Sequence, residues 1–194
     1  MITALVRNLT ALLFPETTAT SNSLPSTQSQ QFQNTVFLLP YTHSAVSNAI
    51  KQNKYHQNMS ACTSLAQTLD TYLDRITGDF AVITVPQTYT RWRERGFDHL
   101  IEILKCSKHK DLHKRNILYK SRHTRRQAHV SKAKRATQQL QSFTCNQKNT
   151  SSLPKTVILF DDVITTGATM EAARVALQPH LDHDTRLICL ALAH

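Results

Sequence analysis

The chain has 194 residues, 40% of them hydrophobic, which suits one ordinary domain with a full core and is too little for two large ones. No uninterrupted apolar stretch approaches the roughly 20 residues of a membrane helix, so no membrane insertion is expected. The net charge of +10 is concentrated: Arg91 to Arg135 holds fifteen of the 23 Lys and Arg but only four of the 13 Asp and Glu. Unless it is only a solvated face, such a segment attracts polyanions: phosphate, pyrophosphate or nucleic acid.

In chain order, Met1 to Phe14 carries Ile2, Leu5, Val6, Leu9, Leu12 and Leu13 at helix spacing, with Arg7 between them. This reads as a short amphipathic helix of a cytoplasmic protein, because a secretory signal places its charge before an unbroken apolar run. Glu16 to Asn34 is rich in Thr, Ser and Gln and reads as a flexible linker. Residues 1–34 are thus expected to be helix plus linker, and 35–194 the domain. Val36 to Leu39, stopped by Pro40, predicts a strand; Ser44 to Lys51 and Tyr55 to Leu73 predict helices. Phe80 to Val85, ended by Pro86, predicts a buried strand. A basic loop follows, then a helix from Phe97 to Leu104 and a strand at Ile117 to Tyr119. Arg122 to Leu140 reads as a polar arm or helix. Val157 to Phe160 is a wholly apolar strand, Met170 to Leu177 an Ala-rich helix and Leu187 to Ala193 a last strand. Apolar strands alternating with helices predict an α/β fold, a parallel twisted sheet flanked by helices.

The stretch from Val157 to Thr169 carries the chemistry. A buried strand ends in Asp161 and Asp162, a turn of small and hydroxyl residues follows (Thr165, Thr166, Gly167, Ala168, Thr169), and a helix begins. Ligands of open α/β sheets bind at the carboxyl ends of strands. The turn offers backbone N–H groups, hydroxyls and the positive end of a helix dipole, which suit a phosphate. Gly167 lets backbone approach closely. Two carboxylates beside a phosphate make sense if they accept hydrogen bonds from a vicinal diol, and a ribose 5-phosphate has both parts.

This stretch resembles the phosphoribosyl pyrophosphate loop of type I phosphoribosyltransferases. The resemblance implies that Asp161 and Asp162 bind the ribose hydroxyls and Thr165 to Thr169 the 5-phosphate. Val85-Pro86, then Arg91-Trp92-Arg93-Glu94-Arg95-Gly96-Phe97, then Lys120-Ser121-Arg122-His123-Thr124, with the opening Leu12-Leu13-Phe14-Pro15, is similar to the ComF family, which shares that fold. Many ComF members carry a four-cysteine zinc knuckle after the Phe-Pro opening; here that stretch has no cysteine, and no structural zinc is expected. The family's Asn-Gln after Arg-Gly-Phe is here Asp98-His99, and Lys120 replaces an Arg, keeping charge without the fork.

The resemblance implies phosphoribosyl transfer with release of pyrophosphate, or a role in natural transformation through single-stranded DNA and the competence machinery. A phosphoribosyl pyrophosphate sensor without catalysis is the third reading. Transfer would place Arg91, Arg93, Arg95, Lys120 and Arg122 on the pyrophosphate. Magnesium would arrive with the substrate near Asp161 and Asp162 rather than in a protein cluster. Lys120 to Arg135 would close as a lid.

The other candidates are weaker. Trp92 reads as a packing anchor more readily than as a base-stacking platform. His109 and His113 are spaced i, i+4 without a third ligand, and His180 and His183 read as solvated. No general base is identified. Cys62, Cys106, Cys145 and Cys189 are far apart in sequence, which argues against zinc pairs and a disulfide framework and predicts buried or idle thiols.

Overall fold

The computed structural model describes residues 23–120 and 142–194. The helix expected over Met1–Phe14, the Phe-Pro opening, Arg122 and most of the expected lid lie outside the described residues. Twelve strands and helices are used below: β1 (Gln30–Phe32), β2 (Thr35–Leu39), α1 (Ser44–His56), α2 (Met59–Leu73), β3 (Phe80–Thr84), α3 (Tyr89–Arg95), α4 (His99–Cys106), β4 (Leu118–Lys120), β5 (Phe143–Cys145), β6 (Thr156–Val163), α5 (Ala168–Leu177) and β7 (Arg186–Ala193).

The main sheet has five strands in the order β1-β2-β7-β6-β3, and β4 and β5 form a separate antiparallel ribbon. The pairs β2–β7, β7–β6 and β6–β3 are parallel; only β1 runs antiparallel, against β2. The expected sheet is thus present with one addition. The polar linker stops short of Asn34, because Gln30, Gln31 and Phe32 pair with Phe37, Val36 and Thr35. A three-residue strand with two glutamines carries no apolar alternation to announce it, and backbone pairing to β2 supplies the order.

The direction of the connections sets the layers. From β2 the chain crosses the whole sheet to β3 through α1 and α2, whereas from β6 it steps to β7 through α5 in the opposite direction. Parallel crossovers keep one hand, so opposite directions require opposite faces. One face carries α1, α2 and α4, and the core there includes Val46, Ile50, Leu65, Leu69, Ile103 and Phe160. The other carries α5 and the β4–β5 ribbon, packed on Val157, Leu159, Met170, Ala173, Leu177 and Phe143. β6 feeds both cores in alternation, as a strand covered on both sides must: Ile158 and Phe160 face α1, α2 and α4, and Val157 and Leu159 face α5.

Local chemistry fixes the boundaries. α1 continues past Lys51 to His56 because Gln57 turns left-handed (φ 50°) and returns its N–H to Gln52 O. Asn58 then caps α2 by accepting from Ala61 N at 3.0 Å, so the second helix begins at Met59 rather than Tyr55. Beyond β3, the stretch expected as a basic loop is helix α3: Thr88 caps its start, and Gly96 ends it at φ 79°, a left-handed position that suits glycine. His113 forms a single parallel bridge to Val82, and Lys114 N donates to Val82 O at 2.8 Å, along the side of β3 away from β6. Among the described residues no helix is long and apolar enough to cross a membrane.

Phe160 is fully buried in the middle of the sheet. Phe160→Ala is expected to cost about 3–5 kcal/mol by leaving a cavity between β6 and the helices. Urea unfolding checks this, with an unchanged midpoint counting against the packing described.

Candidate functional site

The carboxyl ends of β3 and β6 lie side by side, and Val85 N extends their ladder by donating to Phe160 O at 2.8 Å. β6 runs through Asp161 and Asp162 to Val163, so the two acids belong to the strand rather than to the turn after it. Successive strand residues point to opposite faces, and this separates the twin acids. Asp162 follows Phe160 toward α1 and α4 and is 3% exposed, whereas Asp161 follows Leu159 toward the ribbon side and is half-buried. The two acids, expected together at one diol, thus lie on different faces of β6 in this structure.

Asp162 is internally neutralised. Lys54 Nζ of α1 lies 2.7 Å from its Oδ2, and His99 Nε2 of α4 lies 3.1 Å from the same oxygen. Lys54 supplies the opposite charge, and His99 presents its Nε2 to the same oxygen. Oδ1 accepts from Val163 N at 2.8 Å. Burial pushes this carboxyl up, but His99 and Lys54 outweigh it and hold it well below the usual carboxylate range.

His99 is itself held from two sides. Its carbonyl accepts from the buried Asn53 Nδ2 at 3.1 Å. Arg95 Nη1 lies 3.1 Å from His99 Nδ1; a guanidinium can only donate, so Nδ1 accepts and the proton sits on Nε2, facing Asp162. Arg95 also donates to Gln87 Oε1 at 3.2 Å, with its guanidinium 5.4 Å from the centre of the Tyr55 ring. Arg95 is therefore committed inside the protein. Asp98 caps α4 by accepting from Leu100 N at 3.0 Å, which places His99 at the first turn, against Asp162.

Asp161 has the opposite environment. Burial first, and the neighbouring Asp162 charge second, push its carboxyl up to about 7. Lys54 and Lys120 oppose this rise. Lys120, at the end of β4, has its Nζ 4.9 Å from the centre of the Phe143 ring. Burial lowers its pKa, Arg91 lowers it further and Asp161 works against both. Lys120 thus sits within electrostatic reach of Arg91 on one side and Asp161 on the other. Arg91 and Arg93 are exposed on α3.

The turn after β6 and the start of α5 are open at their hydroxyls: Thr165, Thr166 and Thr169 are exposed, Ala168 is half-buried and Gly167 is buried. Thr166 Oγ1 accepts from Ala168 N at 3.5 Å. Gly167 caps α5 at φ 72°, and a Cβ there would lie 2.6 Å from Gln33 Oε1 at the tip of the β1–β2 hairpin. Glycine is required for the left-handed backbone more than for space, since the end of a Gln side chain can swing away.

Trp92 does not serve as a packing anchor. It is 47% exposed and stacks on Tyr89, itself 58% exposed, with centroids 5.9 Å apart. His109 pairs with Asp74 and packs on Phe80. Lys54, Asn53 and His99 are the residues that sequence reasoning missed. Only His99 left a trace, as the departure from the ComF Arg-Gly-Phe-Asn-Gln pattern. No protein-family model matches the chain, and no curated protein matches it.

Two outcomes test this electrostatic arrangement. Lys54→Met should destabilise the protein by about 3 kcal/mol, because it leaves Asp162 buried without its cation; adding Asp162→Asn should recover much of the loss in urea melts. The second concerns pH. Asp161 keeps its proton in the folded state to about 7 against an ordinary value of 3.8, so the folded state binds more protons across that window and its stability falls as pH rises through it. Asp162 has the opposite sign, its contribution present above the ordinary carboxylate range and lost on acidification. The advantage of Asp161→Asn over wild type should therefore grow between pH 5 and pH 8 in thermal melts. A constant difference would contradict the raised carboxyl.

Proposed function

We propose that the chain binds phosphoribosyl pyrophosphate or a related ribose 5-phosphate ligand at the carboxyl edge of β6, as a type I phosphoribosyltransferase-like protein of the ComF kind. One observation carries this reading. A half-buried acid, Asp161, stands a few residues before an open threonine-lined turn that leads into α5, and Lys120 and Arg91 converge on the same edge. The turn and helix start suit a phosphate, the acid suits a sugar hydroxyl, and the cations suit a second anionic group.

On this reading Asp161 accepts the hydrogen bond of a ribose hydroxyl. Asp162, charge-balanced by Lys54 and held by the His99 Nε2–H, holds the end of β6 in place. Transfer would break the bond from ribose C1 to pyrophosphate oxygen, with positive charge growing on the sugar and negative charge on the leaving group. Lys120, Arg91 and Arg93 are the groups able to stabilise that leaving charge. Arg95 takes no part because its guanidinium is held by Gln87 and His99. Among the described residues no cluster of three or more His, Cys, Asp or Glu could hold a metal. One hard carboxylate at this edge fits a magnesium ion that arrives on the phosphates and neutralises part of their charge.

A second reading has its own observation. The exposed Tyr89–Trp92 stack, with Arg93 5.9 Å from the centre of the Tyr89 ring, suits unpaired bases on a charged backbone. It favours single-stranded DNA as a partner, in line with a competence role.

Calorimetry with phosphoribosyl pyrophosphate and magnesium separates the residues. Asp161→Asn should weaken binding by about tenfold or more, a loss of about 1.4 kcal/mol or more, while Arg95→Lys should alter stability more than affinity. Wild type that takes up no ligand would remove the reading. For the second, Trp92→Ala should weaken single-stranded DNA binding in low salt, and affinity that ignores salt would count against it.

A further inference from the structure

Three sulfur atoms meet between α2 and α4, away from the Asp161 edge. Met59 and Cys62 lie three residues apart and so share one face of α2. Cys106, the last residue of α4, brings its Sγ to 3.6 Å from Met59 Sδ, and its thiol is also within hydrogen-bonding reach of Cys62. Cys62 is buried, Cys106 is half-buried, and both are free thiols. Their 44-residue separation in sequence hides the pairing, and folding α4 against α2 creates it.

The Cys62 thiol also has a structural task. Its Sγ donates to Asn53 Oδ1 at 3.0 Å, and Asn53 is fully buried. The amide of Asn53 in turn holds the His99 carbonyl, and His99 faces Asp162. A continuous chain of contacts runs from the sulfur pair to the acid at the end of β6.

The geometry points to Cys62 and Cys106 as a peroxide-sensitive thiol pair that closes to an intramolecular disulfide between α2 and α4. Cys106 is the more accessible thiol and reacts first. Its sulfur attacks one peroxide oxygen, the O–O bond breaks, and Cys106 becomes a sulfenic acid while one water leaves. Cys62 sulfur then attacks the Cys106 sulfur; the S–S bond forms, the S–O bond breaks, and the departing hydroxide takes the Cys62 proton as a second water. Two thiols are oxidised and one hydroperoxide is reduced to two waters. Burial, followed by the nearby Cys106 and Glu102, pushes the Cys62 thiol up to about 11. It is therefore a poor target for peroxide itself, and its part in the resolving step rests on its place beside Cys106 rather than on its acidity.

Closing the bridge removes the S–H that Asn53 Oδ1 accepts, leaving a buried carbonyl without its donor. The hold of Asn53 on the first turn of α4 should loosen, and with it the seat of His99. The inference does not depend on the proposed ligand, because its readouts need none.

The test treats the full chain with hydrogen peroxide at a few molar equivalents and maps peptides by mass spectrometry. The expected product is a Cys62–Cys106 linked peptide, reversed by dithiothreitol and absent from Cys106→Ser, a surface-side change that spares the core. Amide exchange at His99 and Leu100 should then be several-fold faster in the oxidised wild type than in the reduced protein. Over-oxidation of Cys106 alone, Met59 sulfoxide without a linked peptide, or only disulfides between molecules would overturn the pair. A linked peptide with unchanged exchange at α4 would overturn its coupling to the site.

Discussion

One buried charge organises the carboxyl end of β6 and the helices against it. Asp162 stands at the end of the strand that joins both cores, where an uncompensated carboxylate would be prohibitively costly. Lys54 from α1 and His99 from α4 remove that cost by sharing one oxygen. These contacts tie two helices on one face of the sheet to the last residues of β6. The neighbouring Asp161 then inherits a tilted field: it lies beside a fixed negative charge, is itself half-buried, and has its nearest relief in Lys120 and Lys54. Two chemically identical residues thus acquire opposite character from the alternation of a strand, one permanently ionised and one poised near neutrality. A poised carboxyl responds to what binds next to it, since an arriving cation or hydroxyl favours its charged form.

The same alternation explains what could be read from the chain and what could not. Phe80 to Val85 and Val157 to Phe160 are mostly apolar runs, and both proved to be buried parallel strands, β3 at the edge of the sheet and β6 inside it. The turn before α5 was legible because Gly167 and small hydroxyl residues before an Ala-rich helix have few structural alternatives, though the helix starts at Ala168 rather than Met170, so Ala168 and Thr169 lie in its first turn. β1 was hidden because a glutamine-rich strand carries no periodic signal, and α3 because Thr88 and Gly96 are caps whose meaning depends on a helix too short to show a face. The partners of Asp162 were least visible. Lys54 sits in the polar run Gln52-Asn53-Lys54, and nothing local distinguishes a lysine that reaches a distant carboxylate from one in solvent. Only the fold places it there.

The arginines show a related limit. Arg91, Arg93 and Arg95 are equivalent in sequence, but helical geometry distributes them differently. Arg91 and Arg93 remain exposed on α3, while Arg95 is drawn inward to Gln87, Tyr55 and His99. One of the three thus braces His99, the residue that faces Asp162. Clustered charge marks the segment, and only the fold sets the partners of each arginine.

The strand β1 and the bridge at His113 have a shared consequence for solubility. A parallel sheet has two open borders, each a row of unpaired amides able to recruit a second chain. Here one border ends in three residues with two glutamines and little apolar surface, and the other is partly screened by the passing backbone of His113 and Lys114. Neither border presents a long, flat, greasy template. The sheet thus gives other copies of the chain little to zip onto at either border.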